Sequence, residues 1–136
     1  MSETVYLGSC LCGQVKYKIE CTLAGLFLCH CSRCRKASGS SNAANAFTKD
    51  GKLAWISGKE NQKLYNLPET RFTRNFCITC GSSLPYQLGE SSTVVIPAGS
   101  LDSDINMKPT AHIFYASRAN WDQNLDLIEK RDEFSS

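Results

Sequence analysis

Cys10-Leu-Cys12-Gly13 and Cys77-Ile-Thr-Cys80-Gly81 are the stretches that decide the fold of this 136-residue chain. In the second stretch, two thiolates separated by two residues chelate one ion across a tight turn, and Gly81 provides the backbone freedom that follows such a turn. Cys10 and Cys12 lie on the same face of a strand, but the chain must bend before both sulfur atoms can reach one ion. Gly13 permits this bend. Four thiolates suffice for a closed tetrahedral zinc shell, which is typical of a structural site.

A metal shared by these two stretches would join the first strand region to the middle of the chain. Loop-closure entropy makes such a long-range cross-link effective. Structural zinc contributes about 10 to 16 kcal/mol in small peptides, so we expect the fold to depend on it. The alternative is two buried thiols together with a redox pair at Cys77 and Cys80, because a C-x-x-C pair is also typical of thiol redox sites.

A second cysteine cluster, Cys29-His-Cys31-Ser-Arg-Cys34, has three thiols within six residues. Three thiolates can converge on one zinc ion and leave its fourth position to water or substrate, which is typical of a catalytic site. His30 points away from its neighbours in an extended segment, so we expect it to pack or to orient other groups. Cys21 lies outside both clusters and could complete the second site or act as a spare thiol, and the interpretation as a bystander is favoured.

Basic residues surround the three-cysteine cluster at Arg33, Arg35 and Lys36. One interpretation is a solvated helix face, because lysine and arginine are usually exposed. The other is that they attract an anionic thiol such as glutathione, whose carboxylates suit guanidinium donors.

The length predicts one domain over residues 1–136, with a core of about 5–122 and a C-terminal extension of about 123–136. Fifteen basic and thirteen acidic residues give a net charge of +2, too small to predict a nucleic-acid partner. The N-terminus resembles no secretory signal and no apolar stretch could span a bilayer, so we expect a cytoplasmic protein with no membrane partner. There the eight cysteines stay reduced, which favours metal or redox sites over disulfides.

Alternating apolar and charged residues over 14–20 predict a half-buried strand. Short apolar runs between turn signals predict further strands at 45–48, 53–56, 63–67, 72–76, 84–88, 94–96 and 111–115. A helical turn is expected over 32–39, with Ser32 as N-cap and Gly39 as its end, and a helix over 120–134. The sequence therefore predicts a mainly β fold with short helical turns.

The ordered motifs resemble the glutathione-dependent formaldehyde-activating enzyme family, also called the centromere protein V or GFA domain family. The resemblance is carried by Gly8-Ser-Cys-Leu-Cys-Gly-Gln-Val15, Cys29-His-Cys-Ser-Arg-Cys-Arg-Lys-Ala-Ser-Gly39, Trp55-Ile-Ser-Gly58, Arg74-Asn-Phe-Cys-Ile-Thr-Cys-Gly-Ser82 and His112-Ile-Phe-Tyr-Ala-Ser-Arg-Ala-Asn-Trp121. It implies a single β-tent domain that binds two zinc ions. A structural ion would lie on Cys10, Cys12, Cys77 and Cys80, and a more labile, catalytic ion on Cys29, Cys31 and Cys34.

The resemblance also implies an activity, the condensation of formaldehyde with glutathione to S-(hydroxymethyl)glutathione, formally a carbon-sulfur lyase reaction. The expected partners are a small thiol and a small aldehyde. Zinc on three thiolates would deliver the thiol as thiolate or polarise the aldehyde oxygen, and the first role is favoured because thiolate ligands weaken a Lewis acid. His112 is the remaining candidate for a general base, although a hydrogen-bonded core histidine is the favoured interpretation.

Two other functions fit the cysteine pattern. One is a zinc-ribbon-like module that binds protein or nucleic acid, for which a basic stripe is missing because Arg71, Arg74 and Arg118 are scattered. The other is a thiol oxidoreductase that uses Cys77 and Cys80. The sequence does not define an oligomeric state. Trp55, Trp121, Phe47 and Phe76 are expected to be core or pocket wall.

Overall fold

A computed structural model describes residues 4–135, and most of its regular structure is β-strand. The strands are β1 (Thr4–Ser9), β2 (Lys16–Cys29), β3 (Ala43–Ser57), β4 (Gln62–Asn66), β5 (Thr73–Cys77), β6 (Ser83–Leu84), β7 (Tyr86–Gln87), β8 (Val94–Pro97) and β9 (Ala111–Ile113). The helical segments are α1 (Ser32–Ser38) and short 3-10 turns at Ala98–Ser100, Tyr115–Ser117 and Leu125–Leu127. The predicted mainly β fold with short helical turns is confirmed. No helix in residues 4–135 has the length and apolar character needed to cross a bilayer.

The larger sheet has the strand order β1-β2-β3-β8-β7, and all of these neighbours are antiparallel. The last strand, β9, joins the same sheet by pairing in parallel with the end of β2, so that Cys29 faces Ile113. A second sheet has the order β4-β5-β6. The parallel pairing brings a segment from late in the chain beside the first residue of the three-cysteine cluster.

The core lies against β2, whose alternation follows the predicted pattern. Val15, Tyr17 and Ile19 are fully buried, whereas the intervening charged residues are exposed. Leu84 and Ile96, from later strands, complete the same apolar cluster. The hydrophobic pattern of β2 thus fixes which face of the sheet is inside, because successive side chains point to opposite faces.

Three local predictions differ from the structure. The strands expected at 45–48 and 53–56 form one strand, β3, in which Asp50 takes a positive φ of 51° and the pairing with β2 shifts register. The strand expected at 84–88 is divided into β6 and β7 by Pro85, which has no N–H for a strand ladder. The helix expected over 120–134 is wrong. The only helical turn within 120–134 is the 3-10 turn at Leu125–Leu127, and the exposed Leu127 and Ile128 show no buried face that would stabilise a longer helix.

The buried phenol of Tyr17 makes the stability of the fold vary with pH in the alkaline range. Burial raises the pKa of Tyr17 to about 12, although the Ser100 hydroxyl, 2.6 Å from the phenol oxygen, acts in the opposite direction. An unfolded tyrosine has a pKa of about 10, so the folded chain holds the proton more tightly, and the resulting stabilisation, complete below pH 10, is lost between pH 10 and 12.

We therefore expect the free energy of unfolding to fall by about 2 to 3 kcal/mol across that interval because of Tyr17 alone, at about 1.36 kcal/mol per pKa unit. Urea unfolding of wild type and Tyr17→Phe at several pH values isolates this contribution, since all other ionisations are common to both proteins. If the free energies of unfolding of the two proteins fell in parallel between pH 10 and 12, the expected contribution of Tyr17 would be contradicted.

Candidate functional site

The structure brings the four cysteines of the first group together. Their sulfur atoms all lie within 4.8 Å of one another, with 3.5 Å between Cys10 and Cys12 and 3.8 Å between Cys12 and Cys77. Sulfur atoms that share a tetrahedral zinc at a bond length of about 2.3 Å lie about 3.8 Å apart. The bends come from Gly13 and Gly81, which have φ values of 82° and 77°. The geometry of this group therefore fits a closed zinc shell.

Polar side chains support this group from outside. The Asn61 amide donates to the Cys77 sulfur over 3.5 Å and to the side-chain oxygens of Gln14 and Thr79 over 3.0 Å each. The Ser82 hydroxyl lies 3.2 Å from the Cys80 sulfur. Hydrogen bonds from the Ser82 side chain and backbone lower the pKa of Cys80 to about 5. Such contacts favour the thiolate form, which is the form that binds a metal.

The three-cysteine group lies where β2 ends and α1 begins. The sulfur atoms of Cys29, Cys31 and Cys34 lie within 4.8 Å of one another. Cys31, and not the predicted Ser32, is the N-cap of α1, because its sulfur accepts the backbone N–H of Cys34 over 3.4 Å. The helix ends at Gly39 in the left-handed conformation, as expected. One thiol therefore both begins the helix and contributes to the cluster.

Three neighbouring thiols at this junction cannot all ionise unaided. Burial raises the pKa of Cys29, and burial together with its two sulfur neighbours raises the pKa of Cys34. The pKa of Cys31 is lowered, since hydrogen bonds from the backbone and side chain of Cys34 outweigh its burial. A divalent cation would supply the positive charge that three thiolates need. The donor set fits zinc, with no fourth cysteine, histidine, aspartate or glutamate in the group within residues 4–135.

A cleft of about 880 Å³ connects the two cysteine groups. Its lining includes Cys29 and Cys34 of the three-cysteine group and Cys10 of the four-cysteine group. Phe27 and Phe47 form part of the wall, with their rings packed edge to face at 5.8 Å between centroids. Pockets of about 300 to 1,000 Å³ are typical of small-molecule sites. The open cysteine group therefore faces a space large enough for a substrate.

The polar residues of this cleft include three that the motifs did not single out as site residues, namely Tyr86, Arg71 and Arg74. Arg74 donates to the Gly81 carbonyl and the Ser83 hydroxyl, whereas Arg71 is exposed and makes no side-chain hydrogen bond or ion pair within residues 4–135. Burial, and then the charge of Cys34, raises the pKa of Tyr86, so its phenol is a neutral donor. The basic residues of α1 do not line the cleft.

Both histidines lie outside the cysteine groups. His30 is buried, and its Nε2 lies 2.8 Å from Nδ1 of His112. His112 is hydrogen-bonded as expected, but it is exposed and not a core residue. Because β9 pairs with β2 in register, Ile113 faces the cleft and His112 faces the opposite side of the sheet. His112 is therefore in the wrong place to act as a base in the cleft.

The remaining candidates are distributed around the fold. Cys21 is fully buried in the core cluster and belongs to neither cysteine group. Phe47 lines the cleft, and Trp55 packs against Tyr17 with 5.9 Å between ring centroids. Phe76 is partly buried beneath the Arg74 guanidinium, at 5.3 Å from its ring centre. Trp121 is 59% exposed, so the expectation of a core or wall position is wrong for this residue.

These features define a small, mainly β protein with two cysteine groups able to hold zinc and a cleft between them. The profile of the glutathione-dependent formaldehyde-activating enzyme family matches residues 5–117. The chain belongs to that family. A Rhodobacter sphaeroides protein of known crystal structure is similar, with 25% sequence identity, a TM-score of 0.58 and coverage of 78% of this chain and 98% of that chain. Comparison with curated proteins finds no significant match.

Proposed function

We propose that the protein adds glutathione, or a related small thiol, to formaldehyde or a similarly small aldehyde, in the manner of an S-(hydroxymethyl)glutathione synthase. The single observation that carries this proposal is the position of Cys29 and Cys34, whose open three-thiol group lines a substrate-sized cleft. A site with a free coordination position beside a cleft is suited to chemistry and not only to structure. Membership of the family supports the choice of substrates.

In this mechanism the catalytic group is Cys29, Cys31 and Cys34, which would hold a labile zinc ion, while the four-cysteine group would hold a structural one. Zinc, when bound, supplies positive charge that favours the thiolate form of an incoming thiol. The thiolate sulfur forms a bond to the aldehyde carbon, and the carbonyl π electrons move to the oxygen. The proton that the thiol released is returned to that oxygen, so the product is a hydroxymethyl thioether with the composition of thiol plus aldehyde, and no oxidant is needed.

Two residues of the cleft have suitable chemistry for the remaining roles. The neutral phenol of Tyr86 lines the same cleft as Cys34 and can donate a hydrogen bond to the aldehyde oxygen as negative charge develops on it. The Arg71 guanidinium, which has no ion-pair partner within residues 4–135, can bind a glutathione carboxylate. The sequence suggested Arg33, Arg35 and Lys36 of α1 for binding the glutathione carboxylates. We assign this role to Arg71 instead, since the three residues of α1 do not line the cleft.

The arrangement supports an enzyme over the two alternatives. A binding module does not require an open thiol group beside a cleft of about 880 Å³. A redox pair at Cys77 and Cys80 is disfavoured because these thiols lie within 4.8 Å of Cys10 and Cys12, and Cys77 is fully buried. All eight cysteines are free thiols, which favours the reducing cytoplasm as the location.

The reaction is tested by mixing the zinc-loaded protein with glutathione and ¹³C-formaldehyde and following the hydroxymethyl carbon by NMR exchange spectroscopy. We expect the exchange rate between free and adduct carbon to rise in proportion to protein concentration. Zinc content is measured on the same sample. An exchange rate equal to that of glutathione and formaldehyde alone, with two zinc ions bound, would exclude this substrate pair.

Replacing Tyr86 by phenylalanine is expected to lower kcat about a hundredfold, the effect typical of losing one preorganised donor to a developing oxyanion. The KM for glutathione and the zinc content should not change, because the lost hydroxyl serves only the reacting oxygen. Tyr65→Phe is the matched control, since Tyr65 is 43% exposed and lies outside the cleft. A kcat for Tyr86→Phe within twofold of the control would remove Tyr86 from the mechanism.

A further inference from the structure

A row of three polar side chains, Asp122, His30 and His112, lies behind the three-cysteine group. His30 Nδ1 is 2.9 Å from Asp122 Oδ2, and His30 Nε2 is 2.8 Å from His112 Nδ1. His30 is 1% exposed and Asp122 is 5% exposed. Within residues 4–135, neither His30 Nδ1 nor Asp122 Oδ2 makes a hydrogen bond, so their close charge contact is what pairs these two buried atoms. Burying these groups is costly unless they are paired, so their close contact holds the three residues together.

One hydrogen bond of the row joins the two histidines. His30 Nε2 and His112 Nδ1 share it, and one ring nitrogen donates while the other accepts. On its other edge, His30 contacts the carboxyl group of Asp122. Tyr115 packs against both imidazole rings, with 5.1 Å between its ring centroid and each of theirs.

His30 is also fixed through its backbone. Its N–H donates to the Ile113 carbonyl over 3.0 Å, which continues the pairing of β9 with β2. Both ring nitrogens and the backbone N–H of His30 are thus held by residues 112–122. His30 separates Cys29 from Cys31, so any rotation of this segment would move both thiols. No other protein ligand joins the three-cysteine group within residues 4–135 to define its geometry.

We propose that Asp122 and His112 are positioning residues that hold His30 and thereby keep the Cys29 and Cys31 thiols at metal-binding spacing. The proposal rests on the three-cysteine group holding zinc, as in the proposed function. Residues behind a metal ligand typically change metal affinity 10- to 100-fold when they are replaced. The C-terminal segment therefore controls how firmly the open site retains its ion, whereas the four-cysteine group has its own support from Asn61 and Ser82.

The test measures zinc affinity and not turnover. Wild type and the variants His112→Ala, His112→Asn and Asp122→Ala are loaded with zinc, and the ion is withdrawn by a chromophoric chelator. We expect wild type to release two ions, one readily and one slowly. In His112→Ala and Asp122→Ala the affinity for the readily released ion should fall at least tenfold, with the slow ion unchanged. The side-chain amide of His112→Asn can restore a hydrogen bond to His30 Nε2, since it both donates and accepts, and should restore most of the affinity.

Asp126→Ala is the matched control, because Asp126 lies on the same segment but is exposed. His112 decides the outcome, since its exposed ring can be removed without opening the core. Unchanged release of the first ion from His112→Ala would overturn the proposal, and so would equal losses in His112→Ala and His112→Asn. Parallel loss of both ions would also overturn it, because the row would then support the whole fold. A wild type that binds only the slow ion would instead contradict the proposed function.

Discussion

Replacement of Cys77 by serine is expected to leave the chain without a stable native state. Cys77 is fully buried at the end of β5, and its sulfur belongs to the four-thiol group that joins the two halves of the fold. Structural zinc contributes about 10 to 16 kcal/mol in small peptides, and a whole domain is stable by only about 5 to 15 kcal/mol. We expect loss of the cooperative thermal transition and of dispersed amide signals in the NMR spectrum, even with excess zinc.

Cys21→Ala provides the matched control for this result. Cys21 is as deeply buried as Cys77 but lies in neither cysteine group. Removing its sulfur should cost about 1 to 2 kcal/mol, as for other small core truncations, and should leave the zinc stoichiometry unchanged. If Cys77→Ser melted at the same temperature as Cys21→Ala, the four-thiol group would have no structural role.

Replacement of Cys31 by serine is expected to abolish turnover while the fold persists. The remaining thiols of Cys29 and Cys34 hold zinc weakly, so the protein should retain one zinc ion, that of the four-cysteine group. A catalytic metal contributes several kcal/mol to transition-state stabilisation, and about 3 kcal/mol corresponds to about a hundredfold in rate. We expect at least that reduction in kcat/KM, measured above the uncatalysed rate, with a change in melting temperature of only a few degrees.

Ser32→Ala is the control for this second experiment, because Ser32 is the adjacent exposed residue and is not the cap of α1. It should retain two zinc ions and full turnover. Undiminished turnover by Cys31→Ser, with its second zinc absent, would exclude the metal from the mechanism. Retention of both ions by Cys31→Ser would show that two thiols suffice for binding.

The features predictable from sequence are those encoded by local spacing. The alternation along β2 and the C-x-x-C turn at 77–80 depend on neighbouring residues only, so both are correct in the structure. The three-cysteine cluster is likewise contained within six residues. Its junction between β2 and α1 follows from an apolar run that ends at Cys29 and a glycine stop at Gly39.

The features that sequence could not predict depend on tertiary placement. The contact between His30 and His112 spans 82 positions and depends on the three-residue parallel pairing of β9, which no local pattern indicates. Tyr86 enters the cleft because Pro85 divides one apolar run between two sheets. The helix expected over 120–134 follows from residue spacing alone, but no surface of residues 4–135 covers its apolar side chains. In each case the deciding partner is distant in the chain.

The parallel pairing of β9 with the end of β2 has a consequence for how metal enters a newly made chain. Synthesis runs from the N-terminus, so Cys29, Cys31 and Cys34 emerge from the ribosome well before Cys77 and Cys80 complete the other group. The supports of His30 emerge last, with residues 112–122. An ion captured during translation therefore meets the three-thiol group before its anchor exists. If both groups bind zinc as proposed, metallation in the cell would begin at the weaker position and would become secure only when β9 docks.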